Sequence, residues 1–202
     1  AKVNVDNEYY KSSNDGVYQV NSGYNSLVFV NGSCTSFTIP SDVSVNSSAF
    51  IYATKLEKLS FADSDHFGSY NRLDLSKCPI KELYLGRNIS YDVGRDNLIG
   101  SGAFYGITTL EKVTLGSKVT YLGDRMFGYC TSLNTVIAEG NIQYVGSFAF
   151  SGTPWVKSSA AQGVAYLGNY AAGYDGETKS ISFKSSTTGI VRSFLSGKEG
   201  IK

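Results

Sequence analysis

Among 202 residues there is one histidine, one methionine, one tryptophan, three prolines and three cysteines. Each scarcity closes off a class of chemistry. A Ser-His-Asp or Cys-His site would have to use His66. That residue lies in Ala62-Asp63-Ser64-Asp65-His66-Phe67-Gly68, which reads as a solvated loop, and no G-x-S-x-G nucleophile motif accompanies it. Cys34, Cys78 and Cys130 are odd in number and far apart. They form no C-x-x-C, so zinc-ribbon and thioredoxin-like readings fail. They are expected as buried thiols acting as small hydrophobes. An excess of one charge is also missing. Eighteen Lys+Arg face seventeen Asp+Glu, for a net charge of +1. Nucleic acid demands a dense basic face, so it is excluded as a partner. No apolar run approaches the roughly 20 residues that span a bilayer as a helix. Ala1-Lys2-Val3-Asn4-Val5-Asp6 has no apolar stretch behind it, so it is not a signal peptide.

What the chain has in quantity is glycine (22) and tyrosine (15), with 42% hydrophobic residues spread evenly. Few prolines with many Gly, Ser, Thr and Tyr predict a β-rich chain with frequent tight corners. The residues also repeat. Phe104, Phe127 and Phe150 are 23 apart, as are Leu122 and Val145, each followed by glycine. The same step carries Leu110 to Leu133, Val113 to Val136, Val119 to Ile142 and Tyr121 to Tyr144. A step of 22 leads on to Val164 and Tyr166. Ser48-Ala49-Phe50 through Leu59 copies Gly102-Ala103-Phe104 through Val113, and Ile190–Gly197 copies Val145–Gly152 at an offset of 45. Fixed-period self-similarity is the mark of a repeat architecture.

Each unit holds a segment of the form L-x-x-V-x-L: Leu56/Leu59/Phe61, Ile80/Leu83/Leu85, Leu110/Val113/Leu115 and Leu133/Val136/Ala138. Weaker forms sit at Cys34/Phe37/Ile39 and Thr178/Ile181/Phe183. The fourth and sixth positions alternate, which is strand spacing. Leu59 to Leu83 is 24 residues and Leu83 to Val113 is 30, which places an insertion within Ser90–Leu98. Leu73-Asp74-Leu75 is expected as a short outer strand. Polar Ser158-Ser159-Ala160-Ala161-Gln162 stands where another strand is due. One such unit cannot bury enough apolar surface to offset the entropy of ordering about 23 residues, so the units must stack. Residues 1–33 do not fit the repeat. Gly16–Val20 and Ser26–Val30 read as strands of a hairpin, assigned to an N-terminal β cap.

The order A-F, then L-x-x-V-x-L, then V-x-x-L-G, then another A-F resembles the BspA-type leucine-rich repeat. Ser147-Phe148-Ala149-Phe150-Ser151-Gly152-Thr153-Pro154-Trp155 followed by Gly163–Asn169 is similar to a longer unit of that family. The resemblance covers about residues 34–202. It implies a leucine-rich-repeat solenoid on secreted or surface-anchored bacterial proteins linked to adhesion and protein binding, with no shared enzymatic activity. Buried cysteines shortly after the phenylalanine are part of the same pattern, and Cys130 fits that place.

Other motifs have weaker claims. Asp63-x-Asp65-x-Phe67-Gly68, with Asn71 and Asp74 beyond, lacks an oxygen ligand at the fifth place of a calcium loop. Gly100-x-Gly102-x-x-x-Gly106 has one residue too many for a dinucleotide fingerprint. Glu57, Glu82, Glu111 and Glu139 fall one per unit and read as a solvated rim rather than a glycosidase pair. Asn31, Asn46 and Asn88 begin glycosylation sequons.

The reading is thus a curved leucine-rich-repeat solenoid of about 23 residues per turn and about seven turns. Residues 1–33 form the β-hairpin cap and residues 34–202 the solenoid, with parallel strands on the concave face. No enzyme activity, cofactor or metal is expected. The residues between the fourth and sixth positions should line the concave face: Thr38, Ser60, Tyr84, Thr114, Ile137 and Ser182. Those just before the fourth position add Lys58, Glu82, Lys112 and Thr135. Tyr84, Thr114, Ile137, Lys58, Glu82 and Lys112 are the candidate ligand-binding residues, with Tyr84 and Ile137 as anchors. The expected function is an extracellular recognition or adhesion module for a protein or host-surface ligand. It would act as a monomer at the bacterial outer surface, with no transmembrane segment in this stretch and a lipid anchor upstream as one route to the surface. A carbohydrate-binding or, less favoured, carbohydrate-cleaving β-solenoid is the alternative. The tyrosine row Tyr91, Tyr121, Tyr144 and Tyr166 is its candidate platform. A passive surface spacer is the third reading.

Overall fold

The computed structural model describes residues 4, 7–22, 24–65, 68–69, 73–90 and 102–201. Four strands build a first sheet: β1 (Tyr10–Ser13), β2 (Gly16–Asn21), β3 (Tyr24–Val30) and β5 (Val43–Val45). Its order is β1-β2-β3-β5, antiparallel except where β5 joins β3 in parallel. The expected hairpin is therefore present as β2 and β3. A strand from residues 43–45 extends its sheet, so the hairpin shares backbone hydrogen bonds with the segment that follows it.

The repeat itself forms one parallel ladder. It contains β4 (Ser36–Ile39), β6 (Lys58–Phe61), β8 (Glu82–Leu85), β10 (Lys112–Leu115) and β12 (Thr135–Ala138). The order is β12-β10-β8-β6-β4. Phe37, Leu59, Leu83, Val113 and Val136 lie in one lateral row. Ile39, Phe61, Leu85, Leu115 and Ala138 lie in another. These two rows point inward and are buried in the first four strands. They fall short of that only at Val136 and Ala138, in the last rung. Two-residue strands form two further parallel pairs: β7 (Gly68–Ser69) with β9 (Ile89–Ser90), and β11 (Tyr121–Leu122) with β13 (Tyr144–Val145).

The A-F segments form turns whose phenylalanines fill the core. Phe104 stacks on Phe127 at 5.7 Å and Phe127 on Phe150 at 5.4 Å, and Trp155 closes the row at 4.6 Å from Phe150. The residue two after the phenylalanine is left-handed in each turn: Gly106 (φ 73), Tyr129 (φ 57) and Gly152 (φ 73). A non-glycine residue at such a φ carries strain. Tyr129 has a compensating contact, because its ring lies against Gly152, where an added Cβ would stand 3.2 Å from it.

The cysteines are all free and buried. Cys78 Sγ donates to Phe50 C=O at 3.5 Å, and Cys130 Sγ to Phe104 C=O at 3.1 Å, the same contact from unit to unit.

Three expectations fail, each where the spacing departs from 23. Leu73-Asp74-Leu75 forms no strand. Asp74 Oδ1 instead accepts the Ser76 N–H and hydroxyl at 3.1 and 2.6 Å, a side-chain turn that competes with extended pairing. Thr178/Ile181/Phe183 forms no strand either, so Ser182 does not join the ladder. Phe183 packs 5.3 Å from Phe194 instead. Residues 164–166 do not continue the tyrosine column. After the helix α1 (Pro154–Ser159), the chain makes an antiparallel hairpin of β14 (Val164–Leu167) and β15 (Tyr170–Tyr174). Strand β16 (Gly189–Ile190) pairs with β15 in parallel. Pro154 at the first helical position suits a helix start and denies the polar 158–162 stretch a strand. The insertion expected within Ser90–Leu98 lies, beyond Ser90, outside the described residues.

Candidate functional site

Alternation in the ladder sends every second side chain away from the core. The register brings Ser36, Lys58, Glu82, Lys112 and Thr135 into one outward row. Thr38, Ser60, Tyr84, Thr114 and Ile137 form the next. All six candidate residues therefore share one face.

The first row alternates in sign. Lys58 Nζ meets Glu82 Oε1 at 2.9 Å, with both side chains about half exposed. The hydrogen bond from Lys58 holds the Glu82 carboxyl below its usual range, and Lys112 adds to the effect. A parallel pair, Lys81 with Glu57 at 2.9 Å, lies at the strand entrances. Such exposed pairs give specificity of approach more than stability.

In the second row Tyr84 is half-buried rather than free in water. Its hydroxyl donates to Asp63 Oδ1 at 2.7 Å. That bond to a carboxylate pushes the Tyr84 hydroxyl up to about 12, with burial and the charge of Asp63 adding to it. The ring passes close over Gly116, where a Cβ would lie 2.6 Å from the hydroxyl. Tyr84 is thus a fixed anchor. Ile137, in contrast, is 43% exposed on the last strand. Asp65 is engaged too, by Lys118 Nζ at 2.8 Å. The carboxylates of the would-be calcium loop therefore serve a tyrosine and a lysine. His66, Phe67 and Asn71 lie outside the described residues. Among the described residues no group of three or more His, Cys, Asp or Glu could hold a metal ion.

Of the tyrosine row, Tyr121 and Tyr144 stack at 4.7 Å with planes 8° apart, and 39% and 40% of each remains exposed. Tyr166 is elsewhere. Its hydroxyl bonds Thr187 Oγ1 at 2.9 Å and its ring lies under Lys184 Nζ, 4.2 Å away. Tyr91 falls outside the described residues.

Sequence reasoning missed two polar fixtures. Arg87 is 1% exposed, and its guanidinium donates to Ala62 and Pro40 C=O at 3.2 and 3.0 Å. Asn88 accepts the Thr120 and Tyr121 N–H groups, both at 2.9 Å, and donates to Thr120 Oγ1. The Asn88 amide is therefore committed to the next unit and a poor glycan acceptor. The only signal for either was a polar pair directly after Leu85-Gly86.

A family model described as the BspA type leucine rich repeat region matches residues 22–92 and 97–202, in six copies. No curated protein and no solved structure matches the chain. No helix among the described residues is long and apolar enough to cross a membrane.

Proposed function

The chain belongs to the BspA-type leucine-rich repeat family, and on that footing we propose that it is a non-enzymatic recognition module that binds a protein ligand on its strand face. Proteins of this family are often surface or adhesion modules. The ladder and its turns would wind as a curved solenoid of about seven turns, strands on the concave side. The module would stand outside the bacterial cell, as a monomer without a cofactor.

One observation carries the reading. The outward rows place a fixed aromatic, Tyr84, and an exposed aliphatic, Ile137, beside the alternating charges of Lys58, Glu82 and Lys112. Immobilised aromatic anchors lose little entropy on binding, and ordered charges around them select the partner. Thr114 lies between the two anchors in the same row.

The stacked Tyr121–Tyr144 pair supports a second reading, carbohydrate binding, because flat exposed rings suit sugar faces. A screen of the purified chain against extracellular-matrix protein and glycan arrays separates the two. A protein hit weakened about tenfold or more by Tyr84→Ala or Ile137→Ala supports the strand face. A glycan hit lost in Tyr144→Ala but kept in those variants supports the second. No hit in either array removes both and leaves a spacer.

A further inference from the structure

The turns are hydrogen-bonded from unit to unit in one sense. Phe104 and Gly106 N–H donate to Met126 and Gly128 C=O at 3.1 and 2.8 Å. Arg125, Phe127 and Tyr129 N–H donate to Ser147, Ala149 and Ser151 C=O at 2.9, 2.8 and 2.7 Å. The series then breaks. Phe148, the counterpart of Arg125, reaches a side chain instead, Ser193 Oγ at 2.7 Å. Phe150 and Gly152, the counterparts of Phe127 and Tyr129, donate to no acceptor among the described residues.

Spacing is the cause. The next turn of this type, Arg192–Gly197, comes 45 residues on instead of 23. Strand β15 pairs with the strand before that turn, β16, and Val191 N–H donates to Ala171 C=O at 2.9 Å. It supplies nothing to the turn column. The gap is a cavity of about 400 Å³ between the turn at residues 148–153 and the turn at 191–198. Phe148, Val156, Tyr174 and Phe194 give it apolar walls, and Lys198 stands among its lining residues. That size is in the range of ligand sites, roughly 300–1,000 Å³.

We propose that this cavity is a second binding site, for a short segment of a partner polypeptide whose backbone takes the place of the absent unit. Its carbonyls at residues i and i+2 accept from Phe150 and Gly152. The repeat itself specifies that chemistry. At the preceding step the same two donors meet Ala149 and Ser151 C=O, two residues apart. Two amide donors two residues apart match the carbonyl spacing of an extended or turn backbone, and the aromatic walls take an apolar side chain from the segment. In the free protein water must serve both donors, and a peptide that displaces it gains two directional bonds. The site lies off the strand face and does not depend on what binds there.

The test uses the whole chain, labelled with ¹⁵N, and a capped peptide with the sequence of residues 146–153, a second copy of the donor-bearing turn that stands in for the absent one. Amide exchange in the free protein comes first. Phe150 and Gly152 should exchange faster than Phe127 and Tyr129, and equal protection would show the donors already served and overturn the proposal. Adding peptide should shift the Phe150 and Gly152 amides and slow their exchange about tenfold at saturation. Ser196→Trp, an exposed position on the cavity wall, should abolish those shifts without changing Tm. Four outcomes overturn the site: no shift at about 1 mM peptide, shifts that persist in Ser196→Trp, shifts confined to Tyr84 and Ile137, or concentration-dependent shifts without peptide. The last would make a second copy of the chain the occupant.

Discussion

In residues 102–152 three successive turns lie in register, with Phe104, Phe127 and Phe150 stacked at 5.7 and 5.4 Å. In residues 153–201 the same turn recurs once, at Arg192–Gly197, and Leu195 at the phenylalanine position stands 42% exposed. The left-handed residue that closes the turn recurs, since Gly197 has φ 72 where Gly152 has φ 73, but Ser193 lacks the left-handed conformation of its counterpart Phe148 (φ 59). The closing glycine is therefore set locally, whereas stacking depends on the number of residues between turns. A step of 23 delivers one strand and one turn to the next level. A step of 45 leaves chain to spare, and α1 with the β14–β15 hairpin consumes it. Phe194 then packs on Tyr174 and Phe183 at 6.0 and 5.3 Å, in place of a stack.

The contrast is broken most directly by a charge in each region. Phe127→Asp removes a fully buried ring and buries a carboxylate among Phe104 and Phe150. Truncation alone at such a site costs about 3–5 kcal/mol, and the unpaired charge adds to it. The sum approaches the roughly 5–15 kcal/mol that holds a domain together, so no cooperative thermal transition should remain. Leu195→Asp should move stability by less than about 0.5 kcal/mol, because that side chain faces solvent. Equal losses in thermal melts followed by circular dichroism would mean that the register of the stack is wrong.

The regular region was legible because its signals agree. The L-x-x-V-x-L alternation placed β4, β6, β8, β10 and β12 and both outward rows, down to Tyr84 beside Thr114 and Ile137. Apolar spacing at a fixed period leaves one register that buries both inner rows. The same word misled at Thr178/Ile181/Phe183, where an alternating segment had no neighbouring strand at the right distance to pair with. Tyr166 misled likewise, since a shift of one residue in spacing hid a change from parallel rung to antiparallel hairpin. Fixtures such as Asp63 on Tyr84, or Arg87 on Pro40 and Ala62, join residues 21 to 47 positions apart. No local pattern announces contacts of that kind.

Alkaline pH sharpens the comparison, because every cysteine lies N-terminal to residue 131. Burial pushes the Cys78 and Cys130 thiols up to about 11. An unfolded thiol ionises near 8.5–9. Between there and about pH 11 the unfolded chain releases protons that the folded chain keeps. The stability tied to the protonated, buried thiols is therefore complete below about pH 8.5 and declines as pH rises to 11. The loss amounts to roughly 3 kcal/mol for each thiol at its upper limit. Urea unfolding across that window should show the decline, and Cys130→Ala should reduce its slope. An unchanged slope in that variant would assign the effect to tyrosines instead. Protection from amide exchange in residues 164–174 falls in parallel only if the two regions unfold as one cooperative unit.

The smallest effect separates strain from stacking. Gly106 and Gly197 have φ of 73 and 72, and an added Cβ at either meets nothing within 4 Å. Alanine at both positions therefore imposes the same left-handed penalty, about 1–2 kcal/mol. The turns differ in what they can do about it. Gly106 N–H is tied to Gly128 C=O at 2.8 Å and Tyr105 lies 5.5 Å from Tyr129, so the turn must keep its shape. Its full penalty should appear in the urea midpoint. The turn at Gly197 has no backbone hydrogen bond to another turn among the described residues and can fray, which lets an alanine relax before the rest of the chain unfolds. Gly197→Ala should cost less than about 0.5 kcal/mol globally, while raising amide exchange at Ser196 and Lys198. Equal midpoint shifts would mean that the last turn is held as firmly as the stacked ones, and that packing of Phe194 on Tyr174 and Phe183 substitutes fully for the missing unit.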